Sequence, residues 1–400
     1  MFREPANYQM LTNLRAKPPI SVLCLITCLG CGGAEMMMYK LLSRLDRRRF
    51  TAQVISLIDL GPTPLSKKIQ ALGFPIRYLE MHRGRPNPLA VVRLARWLRQ
   101  DPPDVIQTWM YHADLVGCLA AWLAGGIPVS WGIQNSDLNS DGSERLTSLT
   151  VRMCALLSRW LSDRIVSCSE VSRQIHTALG YAAEKILVIP NGSDLETFRP
   201  DPVARESVRK ELQIPEDAPV IGLVARFHPQ KDHRTFVQAA RLLHHDRPDV
   251  CFALCGLDVN WQNQVLVKWI EEAGIGMRCY LLGQREDISR LTAAFDIATL
   301  SSSYGEAFPN IIGEAMSCGV PCVVTDVGDS ALIVGQTGMV VPPRSPTALA
   351  EAWCKMVDLG REGRSQLGMA ARRRSKEQYD LPKIVARYQN LFEELAHLPH

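Results

Sequence analysis

No apolar run in this sequence reaches the ~18 residues that a helix needs to cross a bilayer. The first 19 residues, MFREPANYQMLTNLRAKPP, lack the apolar stretch of an export signal. A membrane-spanning or secreted chain is therefore not expected. The twelve cysteines are then free thiols of a reducing compartment, and the expected location is the cytoplasm. Cys28 and Cys31 stand at CxxC spacing, but no second CxxC or Cys/His pair answers them, and a structural metal needs about four ligands. A DxD-like pair that would hold a divalent ion is missing as well. So is the dinucleotide fingerprint: in GCGGAE, residues 30–35, Glu35 stands where G-x-G-x-x-G needs its third glycine. That speaks against a nicotinamide-dependent oxidoreductase, even though Asp59 ends the second expected strand. Short-period repeats and low-complexity tracts are absent too.

What remains is an ordinary globular composition, 46% apolar and 22% charged over 400 residues, enough chain for two full cores. The net charge of +4 is mild but uneven. Residues 1–200 carry 23 Lys and Arg against 16 Asp and Glu, a balance of +7; residues 201–400 carry 22 against 25, a balance of −3. A basic first half suits an anionic partner surface, and equally a solvated basic face. Nucleic acid is not an expected partner.

Short β-rich runs alternate with helical patterns throughout. SVLCLITCLG (21–30), FTAQVISLID (50–59), DVIQTW (104–109), IPVSWGI (127–133) and DRIVSCS (163–169) read as strands. AEMMMYKLLSRL and NPLAVVRLARWLRQ between them read as helices. The rhythm restarts beyond IPNGSDLETFRPDP with PVIGLVARF (219–227), DVCFALCGL (249–257), RCYLLGQ (278–284), FDIATLSSS (295–303) and VPCVVTDV (320–327). Such alternation builds βαβ units around parallel sheets. The boundary lies near 200, where Pro190, Asn191, Gly192, Pro200 and Pro202 gather. The expected fold is α/β, with two doubly wound domains (1–199 and 200–375), a cleft between them, and a final helical stretch at 376–400.

Ligands of open α/β sheets sit beyond the carboxyl ends of the strands, against helix N-termini. Three loops at such places carry chemistry. The glycines of GCGGAE let an anionic ligand approach the backbone; the plain alternative is a tight turn. In ARFHPQKDH (225–233), Arg226 and Lys231 flank a Pro229 turn and can converge on one anion; the alternative is a solvated basic loop. In SYGEAFPNIIGEAMSCG (303–319), Glu306 lies in a loop. Glu314 falls inside a helix expected to be capped by Asn310 and ended by Gly319. Carboxylates accept hydrogen bonds well from paired sugar hydroxyls, though a glutamate that caps its helix or pairs with arginine needs no ligand. Sugar hydroxyls beside a diphosphate describe a nucleotide sugar.

GGAE, YHADLVG, IPNGSD, GLVARFHPQKDH and the E-x7-E of 306–314 followed by GVPCVVTDVG together resemble the retaining glycosyltransferases of family 4. Their architecture, GT-B, has two facing Rossmann-like domains. Each motif is weak alone; in this order, over residues 20–395, they are specific. VIQTWMYHADLVG and WGIQNS most resemble transferases of O-antigen and exopolysaccharide assembly. The resemblance implies that Glu314 holds the ribose hydroxyls and Glu306 lies beside the donor sugar. It implies that Arg226 and Lys231 neutralise the departing diphosphate. The backbone at Phe308, Pro309 and Asn310 would touch sugar and phosphates, Gly33 would face the diphosphate, and His112 would reach the donor sugar. One departure is Asp329–Ser330 after DVG, where the family often has a second glycine; no ligand role is given to that turn.

The implied activity is transfer of a hexose from a nucleotide sugar, UDP-linked by family prevalence, to a saccharide or lipid-linked acceptor. Neither a cofactor nor a metal is implied. A sugar-nucleotide epimerase of the same architecture remains the alternative, as does a bilobed binding protein without turnover. Two arginine-dotted helices, 87–100 and 147–164, suit weak peripheral contact with an anionic membrane, or equally a plain basic outer face. LPKIVARYQNLFEELAHL is a helix that the resemblance sends back to the first domain.

Overall fold

A computed structural model describes residues 18–398 except 31, 83, 86 and 137–143; Cys31 of the CxxC pair lies outside the described residues. The first sheet consists of β1 (Ile20–Ile26), β2 (Phe50–Ser56), β3 (Ile76–Tyr78), β4 (Val105–Trp109), β5 (Val129–Ile133), β6 (Arg164–Ser167) and β7 (Ile186–Val188). All are parallel, in the order β3-β2-β1-β4-β5-β6-β7. Its helices are α1 (Gly33–Ser43), α2 (Pro64–Ala71), α3 (Pro88–Gln100), α4 (Tyr111–Ala124), α5 (Glu144–Leu161) and α6 (Glu170–Ala178). β4 and β5 are buried along their whole length, as strands covered on both faces must be, so they read as near-continuous apolar runs.

After α7 (Pro202–Glu211) the second sheet runs β8 (Val220–Val224), β9 (Cys251–Cys255), β10 (Cys279–Leu281), β11 (Ile297–Leu300), β12 (Cys322–Thr325) and β13 (Gly338–Val341). Its order is β10-β9-β8-β11-β12-β13, again parallel. Its helices are α8 (His233–Asp246), α9 (Gln264–Ala273), α10 (Ile288–Ala293), α11 (Asn310–Ser317), α12 (Ser330–Val334), α13 (Pro346–Asp358) and α14 (Gly360–Gln378). Both units are therefore doubly wound Rossmann-like sheets. The order in which strands are added reverses between β1 and β4 in one and between β8 and β11 in the other. The sequence reading missed β3, β7 and β13. Each is an edge strand of three or four residues and is only partly buried, too short to show a period.

Each sheet is packed on both faces. One core of the first unit joins β1, β2 and α1 to α15 (Leu381–Ala396), which supplies Leu381, Ile384, Val385, Tyr388, Leu391, Phe392 and Leu395. Tyr388 is fully buried and stacks on Trp109 of β4 at 5.9 Å between centroids. The chain therefore crosses between the units twice, and the crossings lie side by side. The Ser193 N–H donates to the Tyr379 carbonyl at 2.7 Å, and the Leu381 N–H donates to the Ser193 carbonyl at 3.0 Å.

Candidate active site

Doubly wound sheets hold their ligands at the carboxyl ends of the strands where the order reverses. Here these ends are β1 and β4 on one side and β8 and β11 on the other. β1 leads to Gly30–Glu35, β4 to His112, β8 to Arg226 and Lys231, and β11 to Glu306.

The β8 and β11 loops are stitched together. Gln230 Nε2 donates to the Gly305 carbonyl at 2.9 Å, the Ser303 N–H to the Gln230 carbonyl at 2.8 Å, and Ser301 Oγ to the Lys231 carbonyl at 2.7 Å. The Glu306 carboxylate is buried and accepts from Ser302 Oγ at 2.6 Å and from the Lys231 ammonium. Lys231 and Glu306, two separate points in the sequence, thus form one ion pair at the cleft wall. Gly328 is fixed by the same loop. Its φ is +59°, and a Cβ there would collide with the Glu306 carbonyl oxygen. Arg226 is exposed in the loop that follows β8. Burial pushes the Glu35 carboxyl of α1 up from its ordinary range, opposed by its own loop's hydrogen bonds and by the Arg226 charge. Cys28 Sγ is 3.9 Å from Glu35 Oε1.

Phe308 turns its ring inward against Tyr379, 5.4 Å between centroids, so only its backbone is left for a ligand. Pro309 is the N-cap residue of α11 and Asn310 is its first helical residue, which corrects the expected capping. Freed from that task, the Asn310 side-chain carbonyl accepts from Asn191 Nδ2 at 2.9 Å, and a Cβ on Gly33 would lie 3.4 Å from Asn310 Nδ2. The helix ends as expected, with Gly319 at φ +72°. Further along it, Glu314 Oε1 takes the Lys40 ammonium of α1 at 3.2 Å. The first unit reaches across twice more. Ser136 Oγ donates to the Glu306 carbonyl. Asp329 accepts the Glu170 and Val171 N–H groups that open α6, at 2.7 and 2.9 Å. Asp329, the departure from the family pattern, therefore caps a helix of the opposite unit.

His112 lies half-buried in the first turn of α4, and burial lowers its pKa, so it is neutral at neutral pH. Its turn is firmly held. Met110 adopts φ +77° and donates its N–H to the Gly132 carbonyl at 2.9 Å. Asp114 is fully buried, its carboxyl pushed up to about 8 by desolvation; its Oδ1 accepts from Thr108 Oγ1 at 2.5 Å and Gly132 N at 3.2 Å. Tyr111, at the helix start, shares a 2.8 Å hydrogen bond with Nε2 of buried His176, whose Nδ1 meets the Ser172 carbonyl at 2.7 Å. Burial disfavours the charged imidazole, the Nδ1–H donated to the Ser172 carbonyl opposes this, and burial prevails, holding the His176 pKa down to about 4. An imidazole with a depressed folded pKa stabilises the fold fully above the unfolded value near 6.5, and that stability is lost as pH falls toward 4. The expected loss is about 2 kcal/mol at pH 5 from His176 alone. Melting curves at pH 7.5 and 5 should show it, and His176→Gln, less stable at pH 7.5, should lose less on acidification.

Lys40, Asn191, Ser136 and Ser302 were not found by reading the sequence. For Lys40 one signal existed: it lies seven residues beyond Gly33, on the same helix face.

Two family profiles match the chain: Glycosyltransferase Family 4 over residues 31–197 and Glycosyl transferases group 1 over residues 204–374. Among curated relatives, the UDP-Gal:alpha-D-GlcNAc-diphosphoundecaprenol alpha-1,3-galactosyltransferase of Escherichia coli is 27% identical over 248 residues, 61% of this chain and 63% of that protein. The putative glycosyltransferase EpsF of Bacillus subtilis (strain 168) is 28% identical over 320 residues, 76% and 79% of the two chains. The chain thus spans less than two thirds of the Escherichia coli relative. The fold is shared with the crystal structure of Anabaena HepE in complex with UDP, with a TM-score of 0.81 at 22% identity over 94% of this chain and all of that one.

Proposed function

Because the chain belongs to the family 4, group 1 glycosyltransferases, we propose that it moves a hexose from a UDP-linked donor to a lipid-linked O-antigen or surface-polysaccharide acceptor, with retention of configuration and no metal. The observation that carries this reading is the joining of Lys231, Glu306 and Ser302 into one polar cluster at the β8/β11 reversal, with Arg226 exposed in the same loop after β8. The UDP-Gal and diphosphoundecaprenol-linked sugar for which the Escherichia coli relative is named, and the UDP bound to HepE, favour uridine and a lipid carrier.

In the reaction the bond between the sugar C1 and the β-phosphate oxygen breaks. The electron pair leaves with UDP, and the acceptor hydroxyl oxygen bonds to C1 from the same face, giving its proton to the departing phosphate. Charge builds on that phosphate, where Arg226 and Lys231 stand as fixed donors. Lys231 shares its three N–H groups between Glu306 and the phosphate. Glu306 stays beside the positive centre developing at C1, neutral His112 hydrogen-bonds a sugar hydroxyl, and Glu314 grips the ribose. A thermal-shift panel tests the donor assignment. UDP at a hundred times its Kd should stabilise the protein by about 2.7 kcal/mol, while GDP, ADP and CMP leave the melting temperature nearly unchanged. A panel in which UDP gives no shift contradicts it.

The acceptor's carrier would be met on the first unit. Leu146, Leu149, Met153, Leu156 and Trp160 lie at three- and four-residue spacing along α5, and all are exposed, Leu156 to 70% and Trp160 to 76%. Arg152 and Arg159 are exposed on the same helix. No acidic residue occurs between 146 and 162, which suits an anionic leaflet over an acidic protein surface. α3 fits less well than its sequence suggests, because Ala95 is buried and Arg77 covers the Trp97 ring at 3.9 Å. No described helix is long and apolar enough to cross a membrane. The protein should sediment with anionic vesicles at low salt, and Leu156→Glu with Trp160→Glu should leave it in the supernatant. Wild-type protein that stays unbound there contradicts the lipid surface.

A further inference from the structure

Lys40 has no assigned task in the reaction above. It is 8% exposed, and its ammonium is held between two acceptors: the Gly192 carbonyl in the crossing segment, at 3.1 Å, and Glu314 Oε1 at 3.2 Å. The two helices involved lie alongside each other. Gly33, Met37 and Lys40 share one face of α1. Gly33 stands opposite Asn310, Met37 Sδ accepts the Gly192 N–H at 3.4 Å, and Lys40 reaches Glu314. Asn310 and Glu314, four residues apart, share one face of α11. A helix of the first unit is thus registered against the ribose-facing helix of the second, with the crossing segment 191–193 between them.

A buried ion pair is a poor way to gain stability, since apolar side chains of similar volume hold such a joint as well or better. What an ammonium does here, and an apolar chain cannot, is fix the direction of a carboxylate. We infer that Lys40 is a positioning residue of the donor site: by holding Glu314 Oε1 it sets the rotamer in which Glu314 receives the ribose hydroxyls, and it does so from the opposite unit. A carboxylate offers about four acceptor sites, so with Lys40 on one, room remains for a diol. The ammonium also offsets a carboxylate that would otherwise stand bare near a diphosphate. The grip on the ribose is therefore complete only when α1 and α11 are in register, which ties donor affinity to the seating of the two units. This rests on the reading of Glu314 as the ribose ligand.

The test compares Lys40→Met, Lys40→Arg, Glu314→Gln and the double variant Lys40→Met/Glu314→Gln in calorimetric titrations with UDP and with 2′,3′-dideoxy-UDP. Lys40→Met should weaken UDP about five- to tenfold, raise the donor KM by a like factor and change kcat little. Lys40→Arg should restore most of the affinity. The dideoxy analogue, lacking the diol, should bind wild type and Lys40→Met equally. The double variant should bind UDP no more weakly than Glu314→Gln alone. Equal weakening of UDP and its dideoxy analogue in Lys40→Met would mean general damage to the joint and would overturn the proposal. Unchanged UDP affinity in Lys40→Met, with Glu314→Gln impaired, would overturn Lys40 alone. Unchanged affinity in Glu314→Gln would remove the reading of Glu314 and Lys40's role with it. If Lys40→Met fails to fold, Lys40→Gln takes its place with the same expectations.

Discussion

Arg226→Ala should lower kcat about a hundred- to a thousandfold, the usual cost of removing one donor aimed at developing negative charge, and leave the fold intact. The guanidinium is exposed at the carboxyl end of β8, and exposed substitutions of this kind change stability by no more than about 0.5 kcal/mol. Its field reaches Glu35 on the facing unit, so it stands over the cleft rather than over open solvent. Arg226→Lys keeps the charge but loses the two-pronged geometry that matches a phosphate, and should recover only part of the rate. Steady-state kinetics and melting curves on the same preparations decide the matter. A kcat within threefold of wild type, or a loss that tracks unfolding, would remove Arg226 from the reaction.

The second large effect divides the two glutamates of E-x7-E. Glu314→Gln should mainly raise the donor KM and weaken free UDP, because the ribose grip serves ground state and transition state alike. Glu306→Gln should leave UDP affinity nearly intact and lower kcat, where interactions made only in the transition state appear. Losing one charged hydrogen bond costs roughly 1.5–3 kcal/mol, or about ten- to a hundredfold. The ion pairs add a stability term to both. Lys231 is 21% and Lys40 10% exposed at the side chain, so each loses a charged partner in a largely desolvated place, and both variants should melt lower. That common fall is why UDP affinity must be measured beside the melting temperature. Equal weakening of UDP by the two substitutions would show that the glutamates do not divide the donor between them.

The central strands of both sheets were readable because parallel strands covered on both faces leave unbroken apolar runs, and the loops at their carboxyl ends carried glycine, cation and carboxylate in recognisable spacing. The edge strands β3, β7 and β13 left no such trace. What the sequence hides most is the meeting of the two units. Lys40 and Glu314 are 274 residues apart, Ser136 and Glu306 170, and Glu170 and Asp329 159; no local period encodes a pair formed across a cleft. Asn310 was misread for a related reason. At a helix start an asparagine looks like a cap, and only the position of Asn191 shows that its carbonyl is used across the joint. Asp329, left without a ligand role as a departure from the family pattern, has its reason in the α6 N-terminus it caps.

Transfer itself is the central claim, and one assay addresses it: free UDP and glycosylated acceptor followed together, with a UDP-hexose donor and a diphosphoundecaprenol-linked sugar, each supplied with and without the other. The account predicts that UDP appears only when the acceptor is present, in step with glycosylated product, and that Arg226→Ala abolishes both signals together. Conversion of the donor to an isomeric UDP-sugar without acceptor, or no acceptor-dependent release with any UDP-hexose, would contradict it.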